Sequence, residues 1–279
     1  MNGQFVKILA ILVVGILVGV AVSLGLKSTE NTPPTCLYTM GKFSKKPADG
    51  TVTIVMGFDA NYPPFTFVLP NGTPAGFDID VMKAIAAKYG WKIVFKPWDW
   101  STIIVALEKG DIDVIASGMS ITAARSEKIW FSIPYYFYVH ELVTPNNNNM
   151  GFEEILNSGK YIAVQRGSTA EEWADRLLEE GYNFKKLALD SYVAAVEAVL
   201  NGRAIAVITD SAFLDPYLKN HPDAASRLRV VTTIGAPVGY GIATRPEDKW
   251  LRDSINKALE ELMNSPLWDQ LLEKWDLKK

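Results

Sequence analysis

Twice along this chain, short apolar strands alternate with amphipathic helices, and no other feature limits its fold so strongly. Residues 51–57, with Val52, Ile54 and Met56, read as a buried strand. In the helix that follows, Ile79, Met82, Ile85 and Tyr89 fall on one face, and Asp78 or Asp80 is placed to cap its positive end. Strand 92–96, a helix stopped at Gly110 and strand 113–116 complete a β-α-β-α-β unit. Residues 135–144, aromatic and β-branched, then lead out of that unit toward an Asn-rich break at 146–149. A second unit runs from strand 161–165 through a helix ending near Leu178, strand 184–188 and helix 191–200 to strand 204–209. This alternation predicts mostly parallel sheets covered by helices on both faces. A strand at 240–243, a helix with Leu251, Ile255, Leu259 and Leu262 on one face and a last helix begun by Pro266 are predicted to return to the first unit.

In open α/β sheets ligands meet the carboxyl ends of the strands, so the loops there carry the functional reading. Residues 117–125 read Ser-Gly-Met-Ser-Ile-Thr-Ala-Ala-Arg, and Thr122 begins a helix that carries Arg125 in its first turn. A guanidinium fork beside Ser117, Gly118 and Ser120 suits a carboxylate; the plain alternative is a strand, a turn and a surface arginine. Thr169 is placed to cap a helix whose N-terminus attracts anions, and Ser168 precedes it. Asp210 reads by itself as a helix N-cap for residues 211–218, and Tyr62 and Trp100 read by themselves as core. Asn71-Gly72 supplies a hairpin turn.

Residues 8–26 contain no charge and lie between Lys7 and Lys27. As a helix the run spans about 28 Å, close to the ~30 Å hydrocarbon core of a bilayer, which predicts a transmembrane or signal helix over residues 1–27. Val20-Ala21-Val22-Ser23 would suit a signal peptidase, but the length of the run favours an uncleaved anchor. Lys27, Lys42, Lys45 and Lys46 outnumber Lys7 and the α-amino group, so charge alone would leave the large domain inside. Residues 28–50, rich in Pro, Thr, Ser and Lys, read as a flexible tether. Cys36 is the only cysteine, which rules out an intrachain disulfide. Beyond residue 50 the chain carries 23 basic and 29 acidic residues, a net −6 that argues against a nucleic-acid partner. His140 and His221 are isolated, and neither a metal cluster nor a phosphate-binding loop is legible, so no cofactor is implied.

With these pieces in order, residues 51–279 resemble the family 3 extracellular solute-binding proteins, the receptors of polar amino-acid ABC importers. The resemblance rests on Asp59-Ala60-Asn61-Tyr62-Pro63-Pro64-Phe65, Gly76-Phe77-Asp78-Ile79-Asp80, residues 117–125, Phe131-Ser132-Ile133-Pro134-Tyr135-Tyr136 and Gly167-Ser168-Thr169. It implies a two-lobed, periplasmic-binding-protein-like α/β fold of type II, with residues 51–138 and 242–279 in one lobe and 139–241 in the other. It also implies that the domain is extracytoplasmic, tethered to the cell membrane and served by ABC permease subunits. Position by position, it implies that Arg125 grips a ligand α-carboxylate with help from Ser120 and Thr169, and that Asp210 receives the α-ammonium together with Ser117, Gly118 and Ser120. Tyr62 and Trp100 would wall the pocket, and Asp59 and Gln165 would meet the distal end of the ligand. One acid and one amide there favour a polar neutral or basic amino acid, with glutamine, arginine, lysine and histidine the leading candidates. Thr66 stands where well-known binders of basic residues often carry Glu. A dehydratase-type lyase on the same scaffold, with Glu171 or Glu172 as its acid, and a ligand-sensing domain are the alternatives to a receptor that is not an enzyme.

Overall fold

The computed structural model describes residues 42–48 and 50–278. The apolar run at 8–26 lies outside these, and no helix among the described residues is long and apolar enough to cross a membrane.

The first unit opens with β1 (Thr53–Phe58) and a small antiparallel sheet of β2 (Asn61–Tyr62), β3 (Thr66–Val68) and β4 (Pro74–Ala75). It continues through α1 (Phe77–Tyr89), β5 (Lys92–Pro97), α2 (Ile103–Lys109), β6 (Val114–Ile115), α3 (Ala123–Ser126) and β7 (Trp130–Phe131). The second unit comprises β8 (Tyr136–Pro145), α4 (Phe152–Leu156), β9 (Tyr161–Gln165), α5 (Thr169–Glu179), β10 (Lys185–Leu189), α6 (Tyr192–Leu200), β11 (Ala206–Asp210), α7 (Ser211–Asn220), α8 (Pro222–Arg227) and β12 (Leu228–Tyr240). The chain then returns through β13 (Ala243–Thr244), α9 (Lys249–Met263) and α10 (Pro266–Lys274).

Two five-stranded sheets result, ordered β5-β1-β6-β13-β7 and β10-β9-β11-β8-β12. In both, the first three strands pair in parallel and the last two antiparallel, so the sheets are mixed rather than mostly parallel as the alternation predicts. The cause is connectivity. β8 and β12 carry the chain from one sheet to the other and back, and two strands running in opposite directions pair antiparallel without a crossover helix. Their connections, at 132–135 and 241–242, are bonded to each other: Ser132 N donates to Ile242 O at 2.8 Å, and Tyr135 N to Tyr240 O at 3.0 Å.

Helix α1 buries Ile79, Met82 and Ile85, and α9 buries Leu251, Ile255 and Leu259, so the apolar faces read from the sequence are the packed ones. Asp78 makes no cap bond, and Gly76 occupies the N-cap position of α1. Phe43, within the stretch read as tether, is also buried: it packs 6.3 Å from the Trp250 ring, and its N–H donates to Asp248 Oδ1 at 2.7 Å.

Candidate functional site

The carboxyl ends of the six strands that pair in parallel all contribute to the lining of one cavity. After β1 come Asp59 and Tyr62, after β5 Trp100, and after β6 Ser117, Gly118, Ser120 and Arg125. From the second sheet, β9 leads to Gln165, Ser168 and Thr169, β10 to Tyr192, and β11 ends on Asp210. The eleven residues singled out in the sequence are thus brought together, and Tyr192 is a twelfth that the sequence reading omits.

Arg125 is no surface residue: it is 6% exposed, held by the cap that Thr122 Oγ1 provides to its N–H at 3.2 Å. Its guanidinium spans the two sheets, donating from Nη1 to Ser120 O at 3.2 Å and from Nη2 to Gly167 O at 3.1 Å. The Trp100 ring lies 5.6 Å from its Cζ, within reach of cation–π attraction.

Asp210 occupies the N-cap position of α7 without capping it. Its Oδ1 accepts from Tyr192 Oη at 2.9 Å, and its Oδ2 from Tyr62 Oη and Tyr240 Oη, each at 3.0 Å. Tyr62 belongs to the first unit, so its bond crosses between the sheets. Burial raises the Asp210 pKa, against the pull of His140, whose Nε2 lies 3.6 Å away, and of the three hydroxyls. Burial also lowers the His140 pKa.

At the far end Asp59 is 4% exposed, and its Oδ2 accepts from Gln165 Nε2 at 2.8 Å while Oδ1 accepts from Asn61 N at 2.8 Å. Burial, opposed by those bonds, pushes its pKa up to about 6, so it is mostly ionised at neutral pH. The cavity wall therefore carries two carboxyl groups and one guanidinium. A buried charge without an opposite partner is costly, so with both carboxyls ionised this wall would be short of one positive charge.

Ser168, not Thr169, caps α5, because Ser168 Oγ accepts from Glu171 N at 3.2 Å. The Thr169 hydroxyl is instead bonded to Tyr138 Oη and His140 Nε2, each at 2.9 Å. Tyr138 Oη also meets Ser120 Oγ at 2.8 Å, so the three hydroxyls form a chain between the two sheets. Glu171 lies off the cavity: it accepts from Gly167 N at 2.7 Å and pairs with Lys186 at 2.9 Å.

The profile of the bacterial extracellular solute-binding proteins, family 3, matches residues 54–278. The chain belongs to that family. Among its relatives, a probable histidine-binding protein of Neisseria gonorrhoeae is 30% identical over 79% of this chain and 82% of its own length. The ABC transporter arginine-binding protein 1 of Escherichia coli is 29% identical over 82% of this chain and 92% of its own. An ancestral arginine-binding protein, solved with arginine, superposes with a TM-score of 0.73 at 38% identity, covering 80% of this family member and 97% of that chain. An ancestral arginine-binding protein solved with glutamine matches at the same TM-score and identity over 82% and 100% of the two chains. A third structure, at a TM-score of 0.70 and 34% identity over 80% and 94%, is an ancestral amino acid-binding protein described as a precursor of cyclohexadienyl dehydratase.

Proposed function

We propose that this chain is the extracytoplasmic receptor of an ABC importer for a basic amino acid, and that two lobes, residues 51–138 with 242–279 and residues 139–241, close around it. The observation that carries the reading is the charge of the cavity wall: Arg125 against Asp59 and Asp210. A basic amino acid brings one carboxylate and two cations. Arg125 pairs with its α-carboxylate through a planar fork, Asp210 with its α-ammonium, and Asp59 with its side-chain cation, which leaves no charge unmatched in the closed cleft. Tyr62 and Trp100 flank the ligand, Gln165 offers its amide at the distal end, and Ser117, Gly118, Ser120, Ser168 and Thr169 supply hydroxyl and backbone groups. A neutral polar ligand such as glutamine fills the same space but leaves Asp59 without its cation. The relatives named as arginine- or histidine-binding proteins support this class. On this reading residues 1–27 tether the receptor to the membrane.

A lyase reading requires an acid or base facing the ligand. Glu171 is engaged with Gly167 and Lys186, and Glu172 is exposed on α5, which supports a receptor that releases its ligand unchanged. The test is calorimetric titration of the purified full-length chain with arginine, lysine, histidine, glutamine and glutamate, followed by recovery of the ligand. The expected result is tightest binding of a basic amino acid, weaker binding of glutamine, none of glutamate, and intact ligand recovered. A preference for glutamate, or conversion of arogenate or prephenate to product, would contradict it.

A further inference from the structure

The Gly76-Phe77-Asp78-Ile79-Asp80 motif has no part in the cavity wall, yet it places a carboxylate directly beneath it. Asp78 is 1% exposed and lies in the first turn of α1, where an acidic residue ordinarily caps the helix. Here it does not. Its Oδ2 accepts two hydrogen bonds, from Gly118 N at 2.7 Å and from Tyr135 Oη at 2.8 Å. Its Oδ1 is buried without a hydrogen-bond partner. A carboxylate kept in that state costs free energy, and burial pushes its pKa up to about 7 despite the two bonds that oppose the shift.

Both donors belong to parts that matter for ligand capture. Gly118 is a cavity residue with φ of +56°, and a Cβ there would come within 2.5 Å of Tyr62 Cε1. Its conformation therefore sets how closely the loop meets Tyr62, which in turn reaches Asp210. The flanking loop residues are already tied to the second crossing between the sheets: Gly241 N donates to Met119 O, and Ile121 N to Gly239 O, each at 2.9 Å. Tyr135 stands at the end of the first crossing, at 132–135, and its N–H is bonded to Tyr240 O.

We propose that Asp78 is a positioning residue for ligand capture: through one carboxylate oxygen it fixes the Gly118 N–H of the ligand-facing loop and ties that loop to the first hinge crossing at Tyr135. With this bond the loop is anchored to both crossings, so the crossings cannot rotate independently of the surface that meets the ligand. The proposal rests on the reading of the cavity as an amino-acid site, and on the hinge. Asp78 touches no ligand itself; it acts through Gly118 and Tyr135.

The test compares the full-length chain with Asp78→Asn, Asp78→Ala and Tyr135→Phe, by arginine titration, melting temperature and exchange of the Gly118 amide followed by NMR. Asp78→Asn keeps an acceptor for Gly118 N–H and offers an amide N–H to Tyr135 Oη, so arginine affinity should stay within about threefold of wild type. Asp78→Ala leaves the Gly118 N–H without its acceptor, and should weaken arginine at least about tenfold while its amide exchanges on the order of a hundredfold faster. Tyr135→Phe, a change mild enough to fold, should weaken arginine about threefold or more with the Gly118 amide still protected. Lower melting temperatures with arginine affinity unchanged in Asp78→Ala and Tyr135→Phe would reduce Asp78 to a fold-stabilising group and overturn the proposal. If Asp78→Ala does not fold, unchanged affinity in Tyr135→Phe alone overturns the hinge link. Wild-type chain that binds no amino acid contradicts the receptor reading instead. The amide exchange still decides whether Asp78 holds the loop: equal protection of Gly118 in wild type and Asp78→Ala would sink that part.

Discussion

On the proposed reading, Asp59 is the residue on which the choice between a basic and a neutral ligand turns, and its titration makes that choice measurable. With a pKa of about 6 it is about nine-tenths ionised at pH 7 and about one-tenth at pH 5. Only the ionised form pairs with a side-chain cation, so affinity for arginine should rise with pH through 6 and level off above 7. Between pH 5 and 7 the ratio of arginine to glutamine affinity should change about tenfold, and calorimetry on Asp59→Asn should find that ratio flat. The ratio matters because, on the proposed reading, Asp210, whose pKa burial also raises, pairs with the α-ammonium of either ligand. Linkage to stability runs the other way from most carboxylates. Asp59 and Asp78, raised from 3.8 to about 6 and about 7, bind protons more tightly folded than unfolded. Their contribution to stability is therefore greatest below about pH 4 and falls as pH climbs to about 7. Among single residues, the sequence by itself pointed to Arg125 with Ser117, Gly118 and Ser120 and to the helix start at Ser168 and Thr169, whereas Asp59, Gln165 and Asp210 were placed by the family resemblance. Tyr192 escaped because an aromatic at the start of an amphipathic helix looks like core, which it also is, stacked 5.5 Å from the Phe213 ring. Placing it needed the rule of following each parallel strand to its carboxyl end; Trp100, also core by its own reading, entered the wall only through the family resemblance.

At the scale of elements, the helices were the most readable part, since α1 and α9 each announce one buried face. Long β12 was not legible: Val230, Thr232 and Gly235 alternate poorly, and register shifts interrupt its pairing with β8. Its course is dictated by the partner strand and not by its own pattern, which is also why the second sheet came out mixed. The segment before β1 holds another lesson. Arg245, 5% exposed, pairs with Asp113 at 3.1 Å and Asp248 at 2.6 Å, and donates to the carbonyls of Leu107 and Ile112. Lys42 reaches the same Asp113 at 2.8 Å, and Phe43 the same Asp248. A composition-based reading sees only polar tether there, because one Phe among Lys, Ser and Pro has no period. Cutting the chain to begin at Thr51 instead of Met40 should cost about 1.5 to 3 kcal/mol for the Phe43 side chain and lower the melting temperature by several degrees. Equal melting curves for the two lengths would show that this docking contributes nothing.

The described residues set two five-stranded sheets, joined by two short crossings, around a cavity whose walls come from both, and that arrangement was legible because one α/β unit is inserted within the other. Bonds between the sheets run through the site itself: Tyr62 to Asp210, Gln165 to Asp59, and Arg125 to Gly167. The lobes are therefore expected to close where the ligand binds, and small-angle scattering should record contraction on adding arginine; an unchanged profile at saturation would count against hinge closure. The central claim is that the site pairs each charge of a basic amino acid with its own partner, Arg125 taking the α-carboxylate. Agmatine is arginine without that carboxylate. Calorimetric titration of arginine and agmatine into wild type and Arg125→Ala tests the claim most directly. Removing one partner of a buried pair costs roughly 3 to 5 kcal/mol, so Arg125→Ala should weaken arginine by about 10² to 10⁴-fold. Agmatine, which gives Arg125 nothing to hold, should bind the two proteins within about threefold. Equal losses for both ligands, or no loss for arginine, would contradict the account.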